Sequence, residues 1–221
     1  MTPIHATTAR LGLIGDLHAE DAILARAMDH LRQRDAELLL CTGDVADGRG
    51  SVDGCCDRLR AGDVGTVRGN HDRWLCAGRM RTLPDATDPR QVRADNLEYL
   101  RALPTTLDVA TPLGLALLCH GLGPNDMAAV GADDYGYALE SNTELQTLLH
   151  ELRYRFVLSG HTHRRMVRTI GQVTMINAGT LQRDHEPCVT VVDFAAARID
   201  VLDLDGRGRV VGETTVALQQ I

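Results

Sequence analysis

Seven polar residues with the chemistry of metal ligands follow short apolar segments of this 221-residue chain. They are Asp16, His18, Asp44, Asn70, His120, His161 and His163. Carboxylates, imidazoles and an amide oxygen suit Mn, Fe, Zn or Mg, and the absence of cysteine among them argues against structural zinc. Seven ligands exceed what one ion of roughly four to six coordination needs, but they suit two ions that share a carboxylate. Asp44, alone at its position, is the natural shared ligand.

Two such ions predict hydrolysis of a phosphate ester. At a separation of about 3.5 to 4 Å they clamp a phosphate and generate an attacking hydroxide near neutral pH. The departing alkoxide then needs a proton, which His71 can donate if it is not itself a ligand. Either Asp72 or Asp47 is expected to orient its ring. These three residues are therefore candidate catalytic groups.

The elements that must position these residues read as alternating strands and helices. Short, continuously apolar runs predict buried strands at residues 11–15, 38–42, 64–68, 113–119 and 156–159. Apolar residues at helical spacing predict helices at residues 21–34, about 52–60, 95–103 and about 142–153. Residues 69–72 are expected on a turn after the third strand. Parallel strands would bring the polar positions together at one sheet edge.

Beyond His163 the pattern changes to strands alone. They are predicted at residues 167–170, 173–176, 189–194, 198–204 and 210–216. Short turns between them favour antiparallel neighbours, so a second, mostly antiparallel sheet is expected. Residues 74–93 show no regular pattern. No repeat or linker divides the chain, and a single domain is predicted over residues 1–221.

Composition narrows the expected partners to small molecules. The net charge is −7 and only 3% of residues are aromatic, which argues against an extended nucleic-acid surface or an anionic membrane. The six cysteines form no CxxC pair and read as reduced thiols. No apolar run approaches the roughly 18 residues of a membrane span, and no signal-peptide pattern is present. A cytoplasmic protein is expected; oligomeric state leaves no sequence signal.

Five sequence blocks resemble those of the calcineurin-like metallophosphoesterases, in the family's order and spacing over residues 11–163. The blocks are Asp16-x-His18, Gly43-Asp44, Gly69-Asn70-His71-Asp72, Cys119-His120-Gly121 and Gly160-His161-Thr162-His163. The resemblance implies an α/β fold, a four-layer α/β/β/α sandwich of two mixed sheets flanked by helices, with a binuclear centre. One ion would be held by Asp16, His18, Asp44 and His163, and the other by Asp44, Asn70, His120 and His161. His71 would be the acid or phosphate-binding group.

Departures from the family's subgroups bear on the substrate. Protein serine/threonine phosphatases of the family carry Asp-x-x-Asp-Arg-Gly, whereas here one residue separates Asp47 from Arg49. Arg49 remains a candidate phosphate clamp. The run from Asn177 to Thr180 is similar to the Asn-Pro-Gly-Ser of small bacterial phosphodiesterases. We therefore expect a binuclear phosphoesterase, with Mn favoured, acting on phosphodiesters or small phosphorylated metabolites. A phosphatase-like phosphomonoesterase and a non-catalytic scaffold are the alternatives.

Overall fold

The computed structural model describes residues 7–218, with helices and strands in the following order. The strands are β1 Arg10–Ile14, β2 Leu38–Cys41, β3 Gly65–Thr66, β4 Thr106–Thr111, β5 Gly114–Cys119, β6 Phe156–Ser159, β7 Met166–Ile170, β8 Val173–Asn177, β9 Cys188–Asp193, β10 Arg198–Leu204 and β11 Val210–Ala217. The α-helices are α1 Asp21–Gln33, α2 Val52–Ala61, α3 Asn70–Cys76, α4 Ala94–Ala102, α5 Tyr137–Glu140 and α6 Thr143–Glu151, and a 3-10 helix spans Pro89–Gln91.

Local signals explain where the predicted helices begin and end. The Ser51 hydroxyl accepts a hydrogen bond from the Gly54 N–H at 2.9 Å and caps the start of α2. The side chain of Asn142 accepts from the Leu145 N–H at 3.0 Å and caps α6 in the same way. Helix α6 ends before Leu152, which adopts a left-handed conformation with φ of 52°. The four predicted helices are therefore confirmed, with small differences at their ends.

The strands form two mixed sheets. The first sheet has six strands in the order β11-β10-β9-β1-β2-β3, and the second has five in the order β4-β5-β6-β8-β7. Strands β1, β2 and β3 are parallel, and β9 pairs with β1 in the antiparallel sense. In the second sheet β5, β6 and β8 are parallel, with antiparallel β4 and β7 at the edges. The predicted two mixed sheets are confirmed.

The expectation that the last five strands form their own sheet is wrong. Strands β7 and β8 complete the second sheet, and β9 to β11 return to the first. Their hairpins are antiparallel as predicted, but β8 also pairs in parallel with β6. The physical reason is burial. Because every residue of β8 and β9 is buried, each of these two strands lies inside a sheet with a neighbouring strand on both sides. The predicted meeting of all polar ends at the edge of one sheet is corrected as well, because two sheets contribute.

Three apolar layers separate the four layers of secondary structure. Ile23 and Leu24 of α1 belong to the core between the helices and the first sheet. Leu11 and Leu13 of β1 face Phe156 of β6 in the core between the two sheets. The third core contains Leu145 and Leu148 of α6 with Val157 and Met175 of the second sheet. This arrangement is the predicted α/β/β/α sandwich.

The third strand is shorter than predicted. Strand β3 contains only Gly65–Thr66, and residues 69–72 begin helix α3 instead of forming an isolated turn. The carboxylate of Asp72 accepts a hydrogen bond from the Gly69 N–H at 3.0 Å, which satisfies a donor at the start of the helix. Within residues 7–218, no helix is long and apolar enough to cross a membrane.

Candidate metal centre

The polar positions after β1, β2, β3, β5 and β6 come together where the carboxyl ends of the two sheets meet. Asp16, which follows β1 of the first sheet, pairs its backbone with Thr180 of the segment after β8. The Asp16 carboxylate accepts a hydrogen bond from the His161 N–H, after β6, at 2.8 Å. The centre is therefore built across the junction of the two sheets, and both sheets contribute side chains to it.

The first predicted ligand set is assembled in the structure. Candidate ligand atoms of Asp16, His18, Asp44 and His163 all lie within 4.8 Å of one another. Nε2 of His18 and Nε2 of His163 are 2.9 Å apart, and the latter is 3.3 Å from Oδ2 of Asp16. Two imidazole nitrogens and two carboxylates thus face a common point.

The second predicted set lies on the other side of Asp44. Nε2 of His120 is 2.9 Å from Oδ1 of Asn70 and 3.3 Å from Oδ2 of Asp44. The ring of His161 lies 5.2 Å from the ring of His120, centroid to centroid. Oδ2 of Asp44 is also 3.9 Å from Nε2 of His18, while its Oδ1 accepts the His71 N–H at 2.8 Å. One oxygen of Asp44 therefore lies between the two sets.

Backbone carbonyls orient two of the imidazoles. Nδ1 of His18 is 2.8 Å from the carbonyl oxygen of Asp47, and Nδ1 of His120 is 2.9 Å from that of Thr42. A carbonyl only accepts, so each Nδ1 carries the proton and Nε2 points towards the candidate ligands. In His120 this Nε2 meets two acceptors, the oxygens of Asn70 and Asp44. Three candidate ligand atoms therefore face one another at this point.

The electrostatics of the buried carboxylates also fit a cation. The side chains of Asp16 and Asp44 are 0% and 1% exposed, and within residues 7–218 their ion-pair partners are histidines alone. Burial raises the pKa of Asp16 to about 7. Burial also opposes the charge on Asp44, but His120 and His18 outweigh it and lower the pKa of Asp44.

The same carboxylates act on the imidazole of His120. Burial alone would lower the pKa of His120, but Asp44 and Asp16 raise it to about 10. A divalent cation held by the second set would compete with protonation of this imidazole, because only the neutral ring coordinates a metal. The donor chemistry of both sets fits divalent metal ions.

Two glycines of the motifs leave the space that these carboxylates occupy. A Cβ atom on Gly69 would lie 2.1 Å from Oδ1 of Asp44, and one on Gly160 would lie 2.1 Å from Oδ1 of Asp16. No side chain fits at either position without displacing a candidate ligand. The backbone is also unusual here, because several non-glycine residues of the centre have φ in the left-handed region. They are His18, Asp44, Asp47, His161 and His163.

Asp47, and not Asp72, contacts the ring of His71. Oδ2 of Asp47 is 2.7 Å from Nδ1 of His71. Burial lowers the pKa of His71, but the hydrogen bond to Asp47 and the negative charges of Asp44, Asp47 and Asp72 together outweigh burial and raise it. Asp72 instead accepts hydrogen bonds from the N–H groups of Gly69 and Ala46, both at 3.0 Å. Of the two candidates for orienting His71, the geometry therefore favours Asp47, and Asp72 secures the start of α3.

Arg49 pairs with exposed carboxylates, and a second arginine, Arg81, contacts Asp47 beside the candidate metal centre. Arg49, the predicted phosphate clamp, has a side chain 61% exposed and pairs with Asp184 at 3.0 Å and Asp85 at 3.6 Å. Arg81, which the sequence did not single out, binds both carboxylate oxygens of Asp47 at 2.6 and 2.9 Å. It lies 34 residues from Asp47, in the segment without a regular pattern, so no spacing signal pointed to it.

The Asn177–Thr180 run has a clear local role. Nδ2 of Asn177 donates to the Gly160 carbonyl at 2.6 Å, directly before His161. The Thr180 hydroxyl donates to the Asp16 carbonyl at 2.8 Å. Both residues therefore hold the backbone of segments that carry candidate ligands.

Known proteins resemble the chain in sequence pattern and in fold. The family model "Calcineurin-like phosphoesterase superfamily domain" matches residues 10–197. A metallophosphoesterase from Sphaerobacter thermophilus superposes with a TM-score of 0.66 at 18% identity, covering 90% of this chain and 89% of that one. Yfce, a phosphoesterase from E. coli, has a TM-score of 0.55 at 16% identity, with 95% and 100% covered.

A vacuolar protein sorting protein, Vps29, also shares the fold. A single mutant of Vps29 from Entamoeba histolytica superposes with a TM-score of 0.58 at 17% identity, covering 95% of this chain and 99% of that one. At such low identities these structures establish the fold alone. A search of curated proteins found no match.

Proposed function

The chain belongs to the calcineurin-like phosphoesterase superfamily, and we propose that it is a metal-dependent phosphoesterase with a two-ion centre. The observation that carries this proposal is the position of Asp44. Its Oδ2 lies between Nε2 of His120 at 3.3 Å and Nε2 of His18 at 3.9 Å, and each histidine belongs to a separate ligand set. A carboxylate shared by two sets is the arrangement that two-metal hydrolysis requires.

The residues that would hold the ions are the two sets of the centre. Asp16, His18, Asp44 and His163 would hold one ion, and Asp44, Asn70, His120 and His161 the other. When bound, divalent cations at these positions would polarise the phosphate ester and make a water molecule acidic enough to attack it near neutral pH. We propose Mn first, with Fe, Zn or Mg as the other candidates, because the ligands combine carboxylates, imidazoles and an amide oxygen.

His71 supplies the proton for the departing group. Its Nδ1 is held by Asp47, and within residues 7–218 no hydrogen bond engages its Nε2. In the protonated imidazole, the Nε2 proton moves to the leaving-group oxygen as the P–O bond breaks, and Asp47 stabilises the ring's positive charge until then. The raised pKa of His71 keeps this proton on the ring nearer to neutral pH.

We propose a phosphodiester or a small phosphorylated metabolite as the substrate. The support is the Asn177–Thr180 run, which resembles that of small phosphodiesterases and holds the ligand segments in place. A non-catalytic scaffold on the same fold is the second candidate, and the likeness to Vps29 makes it worth testing. A scaffold has no need of ligands, yet all seven candidate positions are present and converge.

The test is a screen of the purified protein with Mn²⁺ against bis-aryl phosphates, mono-aryl phosphates and cyclic nucleotides. We expect hydrolysis that stops on chelation and returns with Mn²⁺, with diesters ahead of monoesters. Faster turnover of monoesters would favour a phosphatase-like enzyme. Two bound ions by metal analysis with no hydrolysis of any ester would favour the scaffold.

A further inference from the structure

Asp47 connects the proton donor with the metal centre. Its side chain binds Nδ1 of His71 at 2.7 Å, and its backbone carbonyl binds Nδ1 of His18 at 2.8 Å. Rotation of the Asp47 side chain would therefore move the His71 ring, whereas the contact with His18 depends on the backbone of Asp47. What holds Asp47 in place is consequently part of the reaction geometry.

Arg81 is the group that holds the Asp47 carboxylate. Nη1 of Arg81 is 2.6 Å from Oδ1 of Asp47, and Nη2 is 2.9 Å from Oδ2, the same oxygen that binds His71. The Asp47 side chain is 3% exposed and that of Arg81 is 18% exposed, so water competes little for this contact. A planar guanidinium that binds both oxygens fixes the plane of the carboxylate, which a single hydrogen bond does not.

Arg81 is itself fixed by its own segment. Its Nε donates to the Arg79 carbonyl at 2.6 Å, and Nη1 donates to the Thr87 carbonyl at 2.9 Å. Thr87 also contacts Asp47 directly, because its N–H donates to Oδ1 at 2.9 Å and its hydroxyl accepts from the Asp47 N–H at 3.2 Å. The contact is therefore a closed network and not one mobile side chain on a carboxylate.

We propose that Arg81 is a positioning residue for His71 and acts through the carboxylate of Asp47. This inference rests on the proposed function. Arg81 touches neither candidate metal ligands nor the reacting atoms; it holds the group that aims the proton donor. Because a displacement of about 1 Å at a reacting group is costly, loss of this support should slow proton transfer while leaving substrate binding and metal content intact.

The kinetic test compares Arg81→Gln with Arg90→Gln in the Mn²⁺-loaded protein. Arg90 lies in the same segment, but its side chain is 89% exposed and pairs with Asp88, so it is the matched control. We expect Arg81→Gln to lower kcat roughly 10- to 100-fold on esters with poor leaving groups, with less effect on good ones and an unchanged KM. Arg81→Lys, which keeps the charge but not the planar fork, should recover only part of the loss. Equal loss for all leaving groups would overturn the proposal.

A double variant separates positioning from general damage. If Arg81 acts only through His71, adding Arg81→Gln to His71→Ala should slow the enzyme no further. A further loss of the same size in the His71→Ala background would show that Arg81 supports the structure in another way, and the proposal would be wrong.

A readout independent of turnover keeps the inference testable if the proposed function fails. In the Zn²⁺-loaded protein, the Nδ1 proton of His71 should give a downfield NMR resonance that His71→Ala removes and Asp47→Asn weakens. We expect Arg81→Gln to broaden this resonance and Arg90→Gln to leave it unchanged. An unchanged resonance in Arg81→Gln would overturn the positioning role, whereas absence of hydrolysis by the wild-type protein would overturn only the function.

Discussion

Between the two sheets, apolar side chains fill regular strands, and the rings of Phe156 and Phe194 lie 4.9 Å apart. Beyond the carboxyl ends of β1, β2 and β6, the backbone is left-handed at His18, Asp44, His161 and His163, and the side chains of Asp16 and Asp44 are almost completely enclosed. The two regions are adjacent in the fold but differ in what stabilises them.

The inter-sheet core gains free energy from burial without any ligand. The candidate metal centre does not, because it encloses carboxylates, and burial disfavours their charge, as the raised pKa of Asp16 indicates. We expect the core to carry the stability of the fold and the candidate metal centre to carry the proposed activity. Substitutions in the two regions should therefore separate stability from activity.

The largest effect is expected from Asp44→Asn. Loss of the shared carboxylate should reduce the occupancy of both ions and cost about 4 kcal/mol of transition-state stabilisation, roughly a 1,000-fold loss of kcat/KM. Metal analysis and kinetics check this, with exposed Asp29→Asn on α1 as the control. Retention of two full equivalents of metal would refute the shared role of Asp44.

A substitution in the inter-sheet core should lower stability and leave activity nearly unchanged. Phe156 is 1% exposed, and Phe156→Ala should lower the free energy of unfolding by about 3 to 5 kcal/mol while leaving kcat nearly unchanged below the new melting temperature. Denaturant titration and kinetics test this. Val211→Ala, at a side chain 66% exposed on an edge strand, should change stability by less than about 0.5 kcal/mol. A large loss of kcat in Phe156→Ala would contradict the view that the core determines stability and the candidate metal centre determines activity.

His71→Ala should affect activity without affecting the metals. We expect kcat to fall about 100-fold, or roughly 2.7 kcal/mol, with the greatest loss on esters whose leaving groups are poor. The comparison uses a series of aryl and alkyl phosphates, metal analysis, and exposed His150→Ala as the matched control. Equal loss across the series would remove the proposed acid role.

The smallest expected effect is on stability and concerns the buried hydroxyl of Thr190 in β9. Among residues 7–218, the Thr190 hydroxyl is the only buried side-chain N or O without a hydrogen-bond partner. Thr190→Val keeps the shape and should raise the free energy of unfolding by about 1 kcal/mol, because an unsatisfied buried hydroxyl is removed. Exposed Thr147→Val, whose hydroxyl bonds the Thr143 carbonyl, serves as the control in the same denaturant titration. Destabilisation by Thr190→Val would contradict this account.

Much of the centre was predictable because its residues follow strands in short, local blocks. Apolar runs located the strands that precede Asp16, Asp44 and His161, and helical spacing located α1, α2, α4 and α6. The number and types of the candidate ligands predicted two divalent ions, which stays a prediction. The motif glycines are visible in the sequence, but only the folded chain shows that Gly69 and Gly160 leave room for the carboxylates of Asp44 and Asp16.

Long-range pairing was harder to predict. The hairpin of β7 and β8 joins the second sheet and that of β9 and β10 joins the first, although both hairpins look alike in sequence. A turn determines that two strands are antiparallel, but the partner on a strand's other side depends on which buried faces meet. Local periodicity does not contain that information.

The amino-acid sequence by itself determined the ligand chemistry, the helices and most of the strands, because these depend on residue types and spacings over a few positions. Only the tertiary structure decided that Asp47 and not Asp72 holds His71, that Arg81 holds Asp47, and that Arg49 pairs with surface carboxylates. These contacts join segments tens of residues apart, and their energies depend on burial and direction, which exist only once the chain has folded.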